Sequence, residues 1–519
     1  MSFWASYILV FIVFVVARYG TLPRIGFTLD DWSLLNRAES FESSTALLMD
    51  ALRHPSRPLG TLILMANYRV YGEHIGRYLA DCIAGFAMFL GLGMWLARKL
   101  TWSVRAALLF GLLCALWPGY HEMFLWPNIM HGWKSFILHL LLISAWICFL
   151  EKGQWRYYLA SLFLFAWLAF TYEIYLPVPA ALAVLIPWNQ IWLRQTIRLM
   201  IPFGGITAFY LAYRSTNAFG LGMNMLGTGQ HFSTAFAANL WEIRHNDMAI
   251  LSWFAGPEAG RIWLNGLLGL RDAGPLVVSF LCVLNLGLAW LVWQRFRQPE
   301  PEATVPYRPL QVAAFGLAMA AGPALILTLT YPAGRTLFYV AMGIFFVACM
   351  AGRIPWRHTS WLMPVIASVM LSTQGMGKNW EVGAQIQRRC RAHLSQHRAE
   401  WMGKEILLID TSSLRERMVS SLLGDPPKGF FAVTEYRSAG FLRGFGPSCL
   451  AARVAGPNAR IPQVLLDVEH GAKIHGQQLL WHERFNPTEK RETPLADVYV
   501  LDMLTATRRL SPGESNGET

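Results

Sequence analysis

The sequence predicts a polytopic α-helical membrane protein with a small α+β soluble domain at its C-terminus. Its 519 residues are 54% hydrophobic and only 15% charged, whereas a soluble domain carries about 25% charged residues. The apolar residues form long blocks up to about residue 375, and the rest is polar. These blocks exclude a soluble multidomain enzyme. The net charge of +12 is therefore interpreted through membrane orientation, and no nucleic-acid partner is expected.

The apolar blocks predict about eleven spans, since a membrane-spanning helix needs about 20 apolar residues. The first block lacks a basic leader and a small-residue cleavage site, so we expect a retained helix. The block 157–188 is too long for one span, and Glu173, Pro177 and Pro179 interrupt it. We divide it into a hairpin with Glu173 near its tip. The approximate spans are 3–19, 76–97, 104–120, 133–150, 156–171, 174–189, 199–213, 275–294, 309–330, 336–352 and 358–375.

The basic residues predict the orientation, because Lys and Arg concentrate in cytoplasmic loops. With a cytoplasmic N-terminus, each predicted inner loop is basic, from Arg98 and Lys99 in the first to Arg353 and Arg357 in the last. Loops 20–75 and 214–274 then lie on the non-cytoplasmic face. The predicted domains are 1–375 in the membrane and 376–519 as a soluble periplasmic or extracellular domain.

The tail pattern predicts the α+β domain. Residues 385–400 have polar helical spacing, and 405–410, 464–468 and 498–501 are short apolar runs typical of buried strands. Cys390 and Cys449 fall in this tail. They could pair in an oxidising compartment or remain two thiols.

The first candidate site is the acidic pair Asp30-Asp31, which follows the first apolar block. Adjacent carboxylates repel, so at least one needs a cation, a proton or a hydrogen-bond donor nearby. One interpretation is a general base, with Asp31 or its neighbour binding a divalent cation. The other is a helix cap, since Thr28-Leu29-Asp30-Asp31 fits Ser/Thr-x-x-Asp. The position after the first span favours a catalytic role.

Each further candidate has two interpretations, a role in ligand binding and an ordinary structural or lipid contact. Arg57 follows His54 in a segment with flanking prolines, which fix the backbone of a guanidinium that could grip a phosphate. Glu173 lies at the end of an apolar block, where a carboxylate faces a cavity or simply reaches water. Arg335 is a candidate ligand for an anionic leaving group or a headgroup contact. His131 belongs to an aromatic outer turn whose His spacing does not predict a metal site.

The motifs and layout resemble the GT-C superfamily of integral membrane glycosyltransferases. Phe27-Thr28-Leu29-Asp30-Asp31-Trp32 looks like the acidic motif of its first outer loop, and Ser56-Arg57-Pro58-Leu59 looks like the Arg-Pro-Leu of several bacterial members. Ala169-Phe170-Thr171-Tyr172-Glu173 resembles the second acidic site, with Tyr172 in place of a lysine. The layout similarity covers residues 1 to about 375.

The resemblance implies an enzyme of the bacterial inner membrane. It would move a sugar from a polyprenyl-phosphate donor to an envelope glycan, lipid or protein acceptor on the outer face. Asp30 or Asp31 would be the base and the sugar would be inverted. Arg57 and Arg335 would bind the phosphate, with Glu173, His54 and His131 as further substrate contacts. A divalent cation, Mg²⁺ or Mn²⁺, stays open, with Asp31 or Glu173 as its ligand.

The alternative is a glycan-lipid transporter or a polymerase-like assembly protein without this activity. Arg214, Arg244, Arg261 and Arg271 lie in the predicted loop 214–274, and Arg-rich outer loops suit such proteins. Phosphate-binding loops, nucleophile elbows and His-Glu-x-x-His motifs are absent from the sequence.

Overall fold

The computed structural model shows a largely helical chain with short strands near the C-terminus. It describes residues 2–508 with gaps at 22, 24–25, 28–30, 53–56, 118–120, 131, 190, 221–256, 299, 301–306, 330–336, 354–359, 410–453, 455–463, 467–472, 476, 484–485 and 503–506.

Eighteen α-helices are numbered here in chain order within the described residues. The first nine are α1 Phe3–Tyr19, α2 Asp31–Ser40, α3 Ser44–Leu52, α4 Pro58–Tyr71, α5 Ile75–Thr101, α6 Val104–Leu116, α7 His121–Leu125, α8 Pro127–Met130 and α9 Gly132–Lys152. The others are α10 Trp155–Thr171, α11 Val178–Val184, α12 Trp192–Gly220, α13 Pro257–Gly269, α14 Pro275–Arg297, α15 Pro309–Leu329, α16 Leu337–Ala348, α17 Leu362–Gln396 and α18 Arg398–Trp401.

The structure does not show eleven spans. Among the described residues, four stretches are long and apolar enough to cross a membrane, namely Ile75–Thr101, Gly132–Lys152, Pro275–Arg297 and Pro309–Leu327. Every predicted span except the sixth coincides with an α-helix of at least 12 residues. The sixth is a 3-10 turn, Glu173–Tyr175, followed by the seven-residue α11. Several of the other helices are too short or too polar to count as spans. The apolar blocks of the sequence do not show where each helix begins and ends.

The helical body is centred on α1, which packs against α5, α6 and α17. Aromatic side chains fill this centre. Phe86 lies 4.1 Å from Phe14 and 4.9 Å from Trp133, measured between ring centroids. Such pairs add roughly 0.5–1.5 kcal/mol each beyond their buried area. Close packing also joins α13 to α17, where a Cβ added at Gly375 would lie 1.7 Å from the Gly266 carbonyl oxygen.

The predicted outer loops are largely helical where the structure describes them. Segment 20–75 contains α2, α3 and α4, and both α2 and α3 pack on α4. Pro58 at the start of α4 fits the first turn, where its missing N–H needs no partner. The predicted loop 214–274 includes the end of α12 and all of α13. The sequence predicts loops here because these helices are short or polar and give only a weak apolar periodicity.

The C-terminal strands form two sheets, and the three strands predicted from the sequence are confirmed. In the first sheet, β1 (Glu405–Ile409) pairs in parallel with β2 (Val464–Leu466) and β6 (Val498–Asp502), in the order β2-β1-β6-β7. The second sheet is antiparallel, in the order β3-β4-β5. The remaining strands are β3 Lys473–His475, β4 Gln478–Glu483, β5 Asn486–Pro494 and β7 Thr507–Arg508.

The predicted boundary at 375/376 falls within the 35-residue helix α17. At the far end of α17, His393 Nε2 lies 2.8 Å from the Tyr499 hydroxyl of β6. Cys390 is buried in the same helix, and Cys449 lies outside the described residues. Helix α17 therefore runs from the apolar body to the C-terminal strands.

Candidate functional site

Asp31 opens α2 and is completely buried. The Tyr68 hydroxyl of α4 donates a hydrogen bond of 2.5 Å to its Oδ1. A buried carboxylate is costly unless hydrogen bonds stabilise it, and this short contact is of the charge-assisted kind. Because α2 packs against α4, the Asp31 carboxylate is held against α4 and is not exposed to solvent.

Aromatic rings surround the Tyr68 side of this carboxylate. The Tyr68 ring centroid lies 5.6 Å from that of Tyr78 and 6.5 Å from that of Phe27. Tyr71, one turn further along α4, stacks edge-on to Tyr78 at 5.0 Å. The rings exclude water from one side of the site. A hydrogen bond is electrostatically stronger in such surroundings than in water.

Arg57 and Glu173 form a bidentate ion pair. Arg57 Nη2 lies 2.6 Å from Glu173 Oε1, and Arg57 Nε donates to Glu173 Oε2 at 2.9 Å. The Arg57 guanidinium also covers the Tyr172 ring, 4.0 Å from its centroid. Arg57 precedes α4, whereas Glu173 begins the 3-10 turn after α10. The packing of α4 against α10 brings the two together.

A second guanidinium reaches the same carboxylate. Arg214 of α12 lies 4.0 Å from Glu173 Oε1. Burial raises the pKa of Glu173, but Arg57 and then Arg214 outweigh it, so the pKa is lower than usual. Burial also lowers the pKa of Arg57, and Tyr172 and Glu173 more than reverse this, so its pKa is raised. Arg57 and Glu173 are thus both charged at neutral pH, and Arg214 adds a second guanidinium. This trio, called here the charged cluster, carries a net charge of +1.

The acidic segment and the charged cluster lie at opposite ends of α4. Tyr68 holds Asp31 near the C-terminal end of this helix, and Arg57 stands before its N-terminal end. The rise from residue 57 to residue 68 is about 16 Å at 1.5 Å a residue. The structure therefore brings Arg57 to Glu173 but keeps both apart from Asp31. A ligand that contacts both ends must extend along α4.

Several predicted site residues lie outside the described residues, namely Asp30, His54, His131 and Arg335. Conversely, the sequence does not indicate Tyr68, and it places Arg214 only among the arginines of the predicted loop 214–274. Nothing in the local sequence marks Tyr68, because its role depends on the packing of α2 on α4. Arg214 directly follows the predicted span 199–213, and its place beside Glu173 depends on the packing of α12 against α10.

The described carboxylates do not form a cation site. Within the residues that the structure describes, no group of three or more His, Cys, Asp or Glu side chains could hold a metal ion. Both oxygens of Glu173 accept hydrogen bonds from Arg57. Glu173 therefore does not fit the role of a divalent-cation ligand in this arrangement.

A second buried guanidinium site joins α1 to α6 and α7. Arg18 Nη1 donates to His121 Nδ1 at 3.0 Å, and Nη2 donates to the carbonyl oxygens of Ala115 and Trp117 at 3.1 and 2.7 Å. The guanidinium also lies 4.7 Å from the centroid of the Phe124 ring. Burial, and then Arg18, hold the pKa of His121 well below its usual range. His121 is therefore a neutral acceptor, which suits a structural contact.

Comparison with known protein families and with curated proteins gives no match to this chain. Fold and function are therefore inferred from the residues and their geometry.

Proposed function

We propose that this protein is a GT-C-type membrane glycosyltransferase. It moves a sugar from a polyprenyl-phosphate donor to a glycan, lipid or protein acceptor of the cell envelope. The N-terminus is cytoplasmic, and the reaction takes place on the outer face of a bacterial inner membrane. The observation that carries the proposal is a buried carboxylate, Asp31, fixed by Tyr68 at one end of a helix whose other end carries a net positive cluster.

In the proposed reaction, the acceptor hydroxyl oxygen bonds to the anomeric carbon from the face opposite the phosphate. The bond between that carbon and the phosphate oxygen breaks, and its electron pair goes to the phosphate. The acceptor proton passes to a carboxylate of the acidic pair. Configuration is inverted, with oxocarbenium character at the sugar carbon. The phosphate gains negative charge, which guanidinium groups stabilise, with Arg57 and Arg335 as the candidates. Because Asp31 and Arg57 lie at opposite ends of α4, this step requires α2 to carry the acidic pair toward Arg57.

The burial of Asp31 divides the roles within the acidic pair. Its carboxylate is fully covered and accepts from Tyr68, so it cannot also receive an acceptor hydroxyl without movement of α2. We therefore assign the proton to Asp30 and treat Asp31 as the positioning residue that anchors Asp30. The aromatic rings beside Tyr68 keep this anchor out of water.

Transfer from radiolabelled polyprenyl-phosphate sugars to membrane acceptors tests the proposal. The Asp30→Asn variant should lose roughly 10²–10⁴-fold in rate, the usual size of general-base catalysis. Asp31→Asn and Tyr68→Phe should each give a smaller, similar loss, because both remove the same anchor. Tyr71→Phe on the same helix and Asp50→Asn at the exposed pair with Arg37 are matched controls that should retain transfer.

Full transfer by an Asp30→Asn, Asp31→Asn double variant would refute the mechanism. Glycan length in a deletion strain separates the alternative function. Loss of a single side-branch sugar supports transfer, whereas loss of all long chains supports the transporter or polymerase. A wild-type protein that inserts correctly yet transfers no sugar from any common donor would also favour that alternative.

A further inference from the structure

An open apolar groove runs between α11 and α12, with a cavity volume of about 410 Å³. This is within the roughly 300–1,000 Å³ of small-molecule sites. From Met200 to Leu211 on α12, the groove is about 16 Å long at 1.5 Å a residue. Its two walls are the facing sides of α11 and α12. These dimensions suit one extended hydrocarbon chain. Its lining includes Leu176, Ala180, Ala183, Gly204, Ala208 and Leu211.

One end of the groove meets the charged cluster. On α12, the lining residues Met200, Gly204, Ala208 and Leu211 follow helical spacing, and Arg214 is the next position on that face. On the opposite wall, Glu173 lies three residues before Leu176. Because Arg214 and Glu173 are 4.0 Å apart, both walls end at the same ion pair. The apolar groove thus leads to a polar end.

The charge at that end favours an anion. Glu173 is engaged bidentately by Arg57 at 2.6 and 2.9 Å, whereas Arg214 only reaches it at 4.0 Å. The Arg214 side chain is 22% exposed and lies about one helical turn beyond Leu211 of the groove lining. Among these three side chains, one carboxylate faces two guanidinium groups. The extra positive charge next to an apolar groove is complementary to a negative group on a hydrocarbon chain.

We propose that this groove binds the hydrocarbon chain of a single-chain lipid phosphate and that Arg214 binds its phosphate. The inference rests on the proposed function for the identity of the lipid, the polyprenyl phosphate of the donor. It adds the place where that lipid lies and a phosphate-binding residue on α12. Charge-assisted hydrogen bonds from a guanidinium suit phosphate oxygens.

Equilibrium binding of radiolabelled farnesyl phosphate tests this inference on the full chain in phosphatidylcholine nanodiscs, which present no net anionic lipid. Gly204→Phe should weaken binding about tenfold or more by filling the groove. The backbone accepts this change, because a Cβ at Gly204 meets nothing within 4 Å. Gly205→Phe is the matched control: its Cβ is equally open, but it does not line the groove, so binding should stay within about twofold.

The charge is tested in the same way. Arg214→Gln should weaken binding about tenfold, since hydrogen bonds to charged groups are the strong ones. Arg214→Lys should restore part of it. Arg198→Gln removes an exposed arginine elsewhere on α12 and should leave binding unchanged. Farnesol and inorganic phosphate, each as competitor at the same concentration, should both be much weaker than unlabelled farnesyl phosphate.

Three results would overturn the inference. Equal binding by the Gly204→Phe and Gly205→Phe variants would mean that the groove holds ordinary boundary lipid. Farnesol as strong as farnesyl phosphate would exclude a phosphate site, and inorganic phosphate as strong would exclude a chain site. The assay needs neither sugar nor acceptor. Binding without transfer would therefore refute the proposed function alone, and transfer without groove-dependent binding would refute this inference alone.

Discussion

Two arginine sites in this protein differ in the groups that pair with the guanidinium. Arg18 is fully buried and donates to two backbone carbonyl groups and a neutral histidine. Arg57 instead faces a carboxylate that Arg214 also approaches. The first site links three helices through fixed, uncharged acceptors. The second holds more positive than negative charge. Burial alone therefore does not separate a structural arginine from one suited to ligand binding. The charge of its partners does.

The largest expected effect is at Arg18. In Arg18→Met, the acceptors on Ala115, Trp117 and His121 lose this donor, and we expect a loss of about 3 kcal/mol in the free energy of unfolding. Intrinsic fluorescence during thermal unfolding in detergent measures it. Arg156→Met, at an exposed position, should stay within about 0.5 kcal/mol. The comparison fails if both variants unfold alike, or if folded Arg18→Met protein no longer binds farnesyl phosphate.

A somewhat smaller effect is expected at Glu173. Glu173→Gln leaves two guanidinium groups with no carboxylate between them. Breaking a buried pair costs about 3–5 kcal/mol, and we expect about 2–3 kcal/mol here because the Arg57 side chain is 35% exposed. Adding Arg57→Gln should recover part of the loss. The control is Glu151→Gln at the Lys99–Glu151 pair, whose side chains are 29% and 30% exposed; this change should cost about 0–1 kcal/mol. Equal losses at both positions would contradict the comparison.

The smallest effect is a difference in acid sensitivity between pH 7.5 and 5.5. The pKa of His121 is lowered in the folded chain, so only the unfolded chain takes up this proton near pH 6.5. The free energy of unfolding therefore decreases as the pH is lowered through this range, by at most about 1.4 kcal/mol per pH unit. The pKa of Glu173 is lowered from 4.5, so its contribution is lost only as pH falls below that value. His121→Gln should reduce the wild-type dependence, and Glu173→Gln should keep it. If Glu173→Gln reduced the pH dependence and His121→Gln kept it, the acid sensitivity in this range would belong to Glu173 instead of His121.

The sequence predicted local structure well and long-range contacts poorly. Apolar spacing located α1 and the strands β1, β2 and β6, because hydrophobic periodicity is a local signal. It also placed Glu173 in the connection after α10. It did not predict that Glu173 would pair with Arg57. The two are 116 positions apart, and the residues around each of them give no information about the other.

The helices of the predicted outer loops were missed for a different reason. Their signals are weak because α2 and α3 are short and α2 is polar. Pro58 before an apolar run is typical of a helix start, whereas as a proline flanking Arg57 it predicts only a rigid backbone. The position of Tyr68 against Asp31 depends on how these helices pack, which no local pattern contains.

Helix α17 has a mechanical consequence. About one third of the way along this helix, Gln374 exchanges hydrogen bonds with Asn285 and donates to the Val16 carbonyl in the apolar body. Near the C-terminal end, His393 contacts Tyr499 of the C-terminal sheet. The two points are about 28 Å apart along one uninterrupted helix. Because this helix is continuous, we expect a small tilt at Gln374 to produce a larger displacement at Tyr499, so that the position of the C-terminal strands reports a change of packing in the apolar body.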